Sequence, residues 1–255
     1  MEISSIGVVG SGQMGNGIAQ VAACSGFSVI MVDVEQAFLD KGMSSIRHSL
    51  ERLVGKGRMS DEESTEAQSR ISTAIGLEKL SACDLIVEAI PEIPELKYST
   101  FSQLDGICMP ESILASNTSS ISINDIASHT SRPDRVIGMH FMNPVPIMKL
   151  VEVITGLRTS EACLSKTLAL AESLGKTCVQ AKDFPGFAVN RILMPYINEA
   201  FYALYEDIAS AEDIDTSMKL GTNVPMGPFV LADFIGLDTC LSIMEVLHKG
   251  LGDSK

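Results

Sequence analysis

The sequence is poor in positive charge. Nineteen Lys and Arg stand against 32 Asp and Glu, a formal net charge of -13 at pH 7, and the basic residues form no cluster. Nucleic-acid affinity rests on neutralising phosphates, so this composition excludes a nucleic-acid surface. The acidic balance otherwise speaks of solubility, and an anionic ligand would need a local cationic patch. Long apolar runs are also missing: nothing reaches the roughly 18 uninterrupted residues of a membrane span. The six cysteines (Cys24, Cys83, Cys108, Cys163, Cys178 and Cys240) contain no Cys-x-x-Cys and no Cys/His group at metal-ligand spacing, so no metal site is expected. Most sit beside apolar residues, as buried reduced thiols do, which points to a reducing compartment. Strand-like residues begin by Ile3, which leaves no stretch for a cleavable signal or an Arg-rich transit segment. The expected location is the cytoplasm, with a peroxisomal address on a longer C-terminus as the alternative. No internal repeat or low-complexity tract stands out.

What the chain does have is alternation. Its 255 residues, 45% of them hydrophobic, suffice for one large domain or two ordinary ones. Apolar runs of strand length ("SIGVVG", "FSVIMVD", "LIVEAI", "ILAS", "VIGMHF", "KLVEVI", "KTCVQA") are separated by segments of helical period. Leu39, Met43, Ile46, Leu50 and Leu53 form one such stripe, at steps of three and four. Strands of continuous apolar residues between helices imply a parallel sheet covered on both faces, a doubly wound α/β domain. After "AKDFPGF" no strand candidate remains. Helical stretches follow, one of them with Ser210 and Asp213 as an N-terminal cap pair and Gly221 as its stop. The expected fold is therefore a Rossmann-type α/β domain over residues 1–183 and a smaller, all-helical domain over 184–255.

The first apolar strand runs into "GVVGSGQMGNGIAQ", where Gly10, Gly12 and Gly15 fit G-x-G-x-x-G at the start of a helix. In that setting the first glycine makes the tight turn, the second admits a pyrophosphate, and the third lets helix and strand pack closely. Asp33 ends the next strand, eighteen residues past Gly15, close to the ~20-residue offset of a carboxylate that binds the adenosine ribose. Val34, Glu35 and Gln36 follow it, with no Arg to receive a 2′-phosphate, so the expected cofactor is NAD rather than NADP.

Of the four histidines, His140 closes a strand, "VIGMH", where open α/β sheets collect their ligands. Alternation in "KLVEVI" groups Leu150, Glu152 and Ile154 on one face. A carboxylate among apolar side chains needs a partner, and His140 is the nearest unassigned candidate in sequence. Such a pair beside a nicotinamide suits alcohol oxidation: the imidazole takes the hydroxyl proton, and the carboxylate orients the ring and stabilises its cation. The ordinary reading of a lone histidine there is structural, and only its neighbours argue otherwise.

The stretches "GVVGSGQMGNGIAQ", "EAIPEIPELK", "ASNTSSISI", "GMHFMNPVPIMKLVEVI", "DFPGFAVNRILMPYINEA" and "EDIDTSMKLGTNVPMGPFVLADFIGLD" together resemble the L-3-hydroxyacyl-CoA dehydrogenase family, over nearly the whole chain. The resemblance implies NAD-dependent interconversion of 3-hydroxyacyl-CoA and 3-oxoacyl-CoA of short or medium chain, and a helical domain that commonly forms a homodimer interface. His140 matches the family's catalytic histidine, Glu152 its paired glutamate, Ser119 the serine at the substrate oxygen and nicotinamide, and Asn190 a substrate-aligning asparagine. Glu92, Lys97 and Asn143 fall on cofactor positions beside Asp33 and the loop residues Gly10, Gly12, Gln13, Met14 and Gly15. Ser49 and Lys56, seven apart on one helix face, fall on coenzyme A positions, against the plainer reading of a solvated face. Members of the family usually continue for some tens of residues past "HKGLGDSK", with a further cofactor-proximal lysine.

Two rival readings share these features. A crystallin-like, gulonate-type hydroxy-acid dehydrogenase uses the same two-domain plan on a substrate without coenzyme A. A non-catalytic dinucleotide-binding protein would bind NADH without turnover.

Overall fold

A computed structural model describes residues 3–252. The chain divides into two compact units, Met1–Asp183 and Phe184–Lys255. In chain order the first unit is β1 (Ser5–Val9), α1 (Gln13–Cys24), β2 (Ser28–Asp33), α2 (Gln36–Gly55), α3 (Asp61–Ser69), β3 (Ile71–Ile75), β4 (Leu85–Glu88), α4 (Pro94–Ile107), β5 (Ile113–Ser116), α5 (Ile123–Ser128), β6 (Val136–Phe141), β7 (Leu150–Thr155), α6 (Glu161–Ser173) and β8 (Thr177–Lys182).

These strands form one sheet in the order β3-β2-β1-β4-β5-β6-β7-β8. Every neighbouring pair is parallel except β6 and β7. A parallel return needs a crossover of a dozen or more residues, and the short 142–149 connection holds no helix, so β7 folds straight back along β6. The wholly parallel sheet expected from the apolar runs is corrected at this one junction. It is the junction that carries His140 and Glu152.

Ile6, Val8, Met31, Leu85, Val87, Ile137, Met139, Val151 and Val153 are buried in the sheet's core. Leu39, Ile46 and Leu50 of the α2 stripe are fully buried against it, each worth about 1.5–3 kcal/mol relative to exposure. Seven strands were legible as apolar runs. The eighth, β3, is an edge strand in which Ser72 and Thr73 interrupt the apolar pattern. Helix α3 was also not anticipated, although a capping box announces it: Glu63 N–H donates to Ser60 Oγ (3.1 Å) and Ser60 N–H to Glu63 Oε2 (2.7 Å).

The second unit holds α7 (Val189–Tyr205), α8 (Ala211–Gly221), α9 (Pro228–Ile235) and α10 (Leu237–Leu251). Met194, Ile197, Ala232, Cys240, Ile243 and Leu247 form its core. The apolar run from Pro228 to Leu251 reads as one helix but is two. Gly236, at φ +99°, sits outside helical space and ends α9. Ser210 caps α8, accepting from Asp213 N–H at 3.1 Å.

All six cysteines are free, and Cys83, Cys108, Cys163 and Cys240 are buried. Burial pushes the Cys83 and Cys108 thiols up to about 11 and Cys163 up to about 12, so they stay neutral. Cys178 is half-buried, and Cys24, the last residue of α1, is exposed. Among the described residues no cluster of His, Cys, Asp or Glu could hold a metal ion, and no helix is long and apolar enough to cross a membrane.

Candidate active site

The strand order reverses between β1 and β4, so the crevice outside their carboxyl ends is the ligand position of an open α/β sheet. Register brings Val9, Glu88 and Ser116 level there. Gly10 follows Val9 directly, and His140 lies two residues past Gly138, the β6 residue level with Ser116. The ends of four adjacent strands therefore converge on one edge.

Each glycine of the first loop has its own cause. Gly10 lies at φ +95°, and a Cβ there would sit 2.7 Å from the Ala89 carbonyl oxygen. A Cβ on Gly15 would come within 1.8 Å of the Gly10 carbonyl oxygen, so only glycine lets α1 start this close to β1. A Cβ on Gly12 would meet nothing within 4 Å. Gly12 thus keeps open space rather than serving packing, as a backbone approached by an outside group requires. Gly12 is also the N-cap of α1, with no side-chain cap and no acidic residue in the first turn, which leaves the helix N–H groups available to an anion. Beside it, Asp33 Oδ2 accepts from Ser11 N–H (2.7 Å) and Ser11 Oγ (2.6 Å), while Oδ1 accepts from Val34 N–H (2.8 Å). The carboxylate is thereby fixed at the end of β2 for a ribose. These residues fit a dinucleotide.

The β6–β7 register sets His140 directly opposite Glu152. His140 Nδ1 lies 2.7 Å from Glu152 Oε2, and Glu152 is fully buried. An ionised carboxylate can only accept, so Nδ1 carries the proton and Nε2 is the basic nitrogen.

Between the glycine loop and this pair lies an ionic chain whose Glu88 and Lys97 are buried and whose Glu92 reaches the surface. Lys97, 1% exposed, donates to Glu88 Oε1 at 2.6 Å and to the Ile90 carbonyl at 3.2 Å, and its Nζ lies 3.2 Å from Glu92 Oε2. Glu92 Oε1 accepts from Thr118 Oγ1 (2.5 Å), Ser119 N–H (2.9 Å), and Ser120 N–H and Oγ (3.1 and 3.0 Å); Ser119 Oγ stands at 3.3 Å. Burial pushes the Glu92 carboxyl up, but the Lys97 charge and the donors from Thr118 and Ser119 together outweigh it and hold Glu92 below the ordinary carboxylate range. The loop so held is joined to the histidine strand, because Asn117 Oδ1 accepts from Phe141 N–H at 2.9 Å.

Other expected residues fall as follows. Asn143, exposed after β6, accepts from Gln13 Nε2 at 3.0 Å, and Met14 packs on the core. Ser49 is half-buried on α2 and Lys56, its C-cap, is exposed. Asn190 is buried at the start of α7, in the second unit. Sequence reasoning missed Glu88, Ser11, Thr118 and Lys176. Lys176 Nζ donates to the Val145 and Met148 carbonyls (2.5 and 2.8 Å) and so secures the connection after His140. Glu88 had a legible signal, a charge ending the otherwise apolar run "LIVE". The Lys176 contacts had none, since both acceptors are backbone.

A glycine loop open to a pyrophosphate, a fixed ribose carboxylate and a buried His–Glu pair on one sheet edge define the class of nicotinamide-dependent dehydrogenases. Family models narrow the class. The 3-hydroxyacyl-CoA dehydrogenase NAD-binding domain matches residues 5–184, and the C-terminal domain of the same family matches 186–255. A probable 3-hydroxybutyryl-CoA dehydrogenase of Bacillus subtilis is 56% identical over 255 residues, all of this chain and 89% of that protein. The mitochondrial hydroxyacyl-coenzyme A dehydrogenase of Rattus norvegicus is 44% identical, over 97% of this chain and 81% of its own length. The solved (S)-3-hydroxybutyryl-CoA dehydrogenase of Ralstonia eutropha superposes with a TM-score of 0.97 at 49% identity, covering 99% of this chain and 89% of that one. The chain belongs to the 3-hydroxyacyl-CoA dehydrogenase family and is an NAD-dependent enzyme.

Proposed function

We propose that the enzyme interconverts L-3-hydroxyacyl-CoA and 3-oxoacyl-CoA of short chain, with the four-carbon pair 3-hydroxybutyryl-CoA and acetoacetyl-CoA preferred. The observation that carries the chemistry is the 2.7 Å His140–Glu152 pair, buried at the sheet edge that bears the dinucleotide loop. The printed names of the relatives support the chain length.

In the oxidising direction His140 Nε2 accepts the proton of the substrate C3 hydroxyl as the C3–O bond becomes a carbonyl. NAD, when bound, supplies the hydride acceptor. Glu152 keeps Nδ1 protonated and balances the imidazolium that forms. Ser119 donates its hydroxyl to the substrate oxygen, and Asn190 aligns the acyl thioester. Gly12 and the α1 N-terminus hold the pyrophosphate with Gln13 and Met14 alongside, Asp33 holds the ribose, and Glu92 and Asn143 frame the nicotinamide end, with Lys97 buried behind Glu92. Lys56 and Ser49 hold the phosphate-bearing part of coenzyme A, a local cation on an acidic protein.

The active species is a homodimer joined through the second unit. That unit exposes the large apolar side chains of Tyr205 (85%), Leu220 (76%), Ile208 and Phe234, which a second copy could cover. Light scattering should give twice the chain mass; a monomer at micromolar concentration refutes this part.

The test of the chemistry is NADH oxidation with a 3-oxoacyl-CoA series from acetoacetyl-CoA upward. Turnover should be highest with acetoacetyl-CoA, and His140→Gln should keep NADH binding while losing about 100- to 10,000-fold in turnover. Near-parental turnover by that variant, or equal use of the CoA-free 3-oxo acids, overturns the reading.

A further inference from the structure

Glu88 takes no part in the His140–Glu152 chemistry, yet like Glu152 it is a fully buried carboxylate at the sheet edge. It ends β4 with no exposed surface. Its Oε1 accepts from Lys97 Nζ (2.6 Å) and Ile90 N–H (2.8 Å), and its Oε2 from Ser116 Oγ (2.7 Å). We infer that Glu88 is a positioning residue for the dehydrogenase reaction, acting on Ser119 through Lys97 and Glu92. The inference rests on the reading of Ser119 as the substrate-oxygen donor.

An ammonium has three protons, and Lys97 has three acceptors around it: Glu88 Oε1, the Ile90 carbonyl and Glu92 Oε2. The shortest is Glu88, which therefore sets where the Lys97 charge rests. Glu92 is drawn to that charge with one oxygen and gathers Thr118, Ser119 and Ser120 with the other. A second route reaches the same loop: Ser116 Oγ, donating to Glu88, accepts from Thr118 N–H at 3.2 Å. Both arms end on the segment that carries Ser119, and Asn117 ties that segment to Phe141, next to His140. The chain Glu88–Lys97–Glu92 thus sets the spacing between a hydroxyl donor and an imidazole base. Within this network Lys97 acts through Glu92.

The experiment compares Glu88→Gln, the double variant Glu88→Gln/Lys97→Met, and Ser119→Ala, each as full chain with NADH and acetoacetyl-CoA. Glu88→Gln removes the charge that seats Lys97. It should lower kcat about tenfold or more, as small displacements of catalytic groups do, with NADH dissociation changed less than about threefold on the same reasoning. The double variant removes both buried charges, which proteins tolerate better than an orphaned one. Its thermal midpoint should return to near the parental value while kcat stays low, because Glu92 is no longer held. If Glu88→Gln fails to fold, the double variant alone decides the matter. Parental kcat in a folded Glu88→Gln or double variant, with Ser119→Ala impaired, shows that Glu88 only supports the fold and overturns the inference. Parental kcat in Ser119→Ala overturns the assigned role of Ser119 and the inference with it.

Discussion

Glu152→Gln isolates the charge of the buried pair from its shape. The glutamine has nearly the same volume and can still accept from Nδ1, so the geometry of the 2.7 Å contact survives while the negative charge goes. What is lost is the extra stabilisation of the imidazolium that appears when His140 takes the proton. Coulomb attraction across that gap, at an effective dielectric of about 20, bounds the loss at about 6 kcal/mol. The carboxylate, with no exposed surface, has already given up hydration, which offsets part of that. A charge-assisted bond of this kind is worth about 1.5–3 kcal/mol net, and at 1.36 kcal/mol per decade the expected fall in kcat is about 10- to 150-fold. The assay is NADH absorbance with saturating acetoacetyl-CoA, alongside NADH fluorescence titration and a thermal melt. Binding should change by less than about threefold and the melt by no more than a few degrees, because the substitution is isosteric. A folded variant with kcat within threefold of the parent would refute the reasoning, as would an equal loss in NADH affinity and turnover.

Three further outcomes follow from the same geometry. Gly12→Ala and Gly15→Ala should fail in opposite ways. The first should melt like the parent, since its Cβ meets nothing, yet bind NADH at least about tenfold more weakly where the phosphate must approach. The second, with a Cβ 1.8 Å from a carbonyl oxygen, should lose about 3 kcal/mol or more of stability, visible as a melt lowered by many degrees. Asp33→Ala should cost NADH about 1.5–3 kcal/mol, the worth of a hydrogen bond to a charged group, with little change for NADPH. A ratio of kcat/KM values between the two cofactors that stays put would count against Asp33 as the discriminating group. Finally, Glu92 has its carboxyl held below the ordinary range, so its stabilising contribution is present above the unfolded value near 4.5 and is lost as pH falls through the lower folded value. The parent should therefore out-melt Glu92→Gln at neutral pH, with the gap closing on the acid side of 4.5; a gap that persists there would exclude the ionised form as the source of stability.

Local information was enough to read much of this molecule from its sequence. Glycines at 10, 12 and 15, the apolar runs of seven strands and the Leu39–Leu53 stripe each report a conformation that neighbouring residues dictate, and Asp33 lies at a distance set by one strand–helix–strand unit. The edge strand β3 escaped because its sequence, "ISTAI", has no apolar period to report. The pairing of His140 with Glu152 could be suspected from their residue types, but only the antiparallel return of β7 sets the two opposite one another, and that return depends on the length and course of the connection between them. The residues of the Glu88–Lys97–Glu92 chain could be noticed singly, but their connection was beyond local reading. It joins the end of one strand, a helix and a loop some thirty residues further on, and which acceptor each ammonium proton meets is decided only when the sheet stacks those segments side by side.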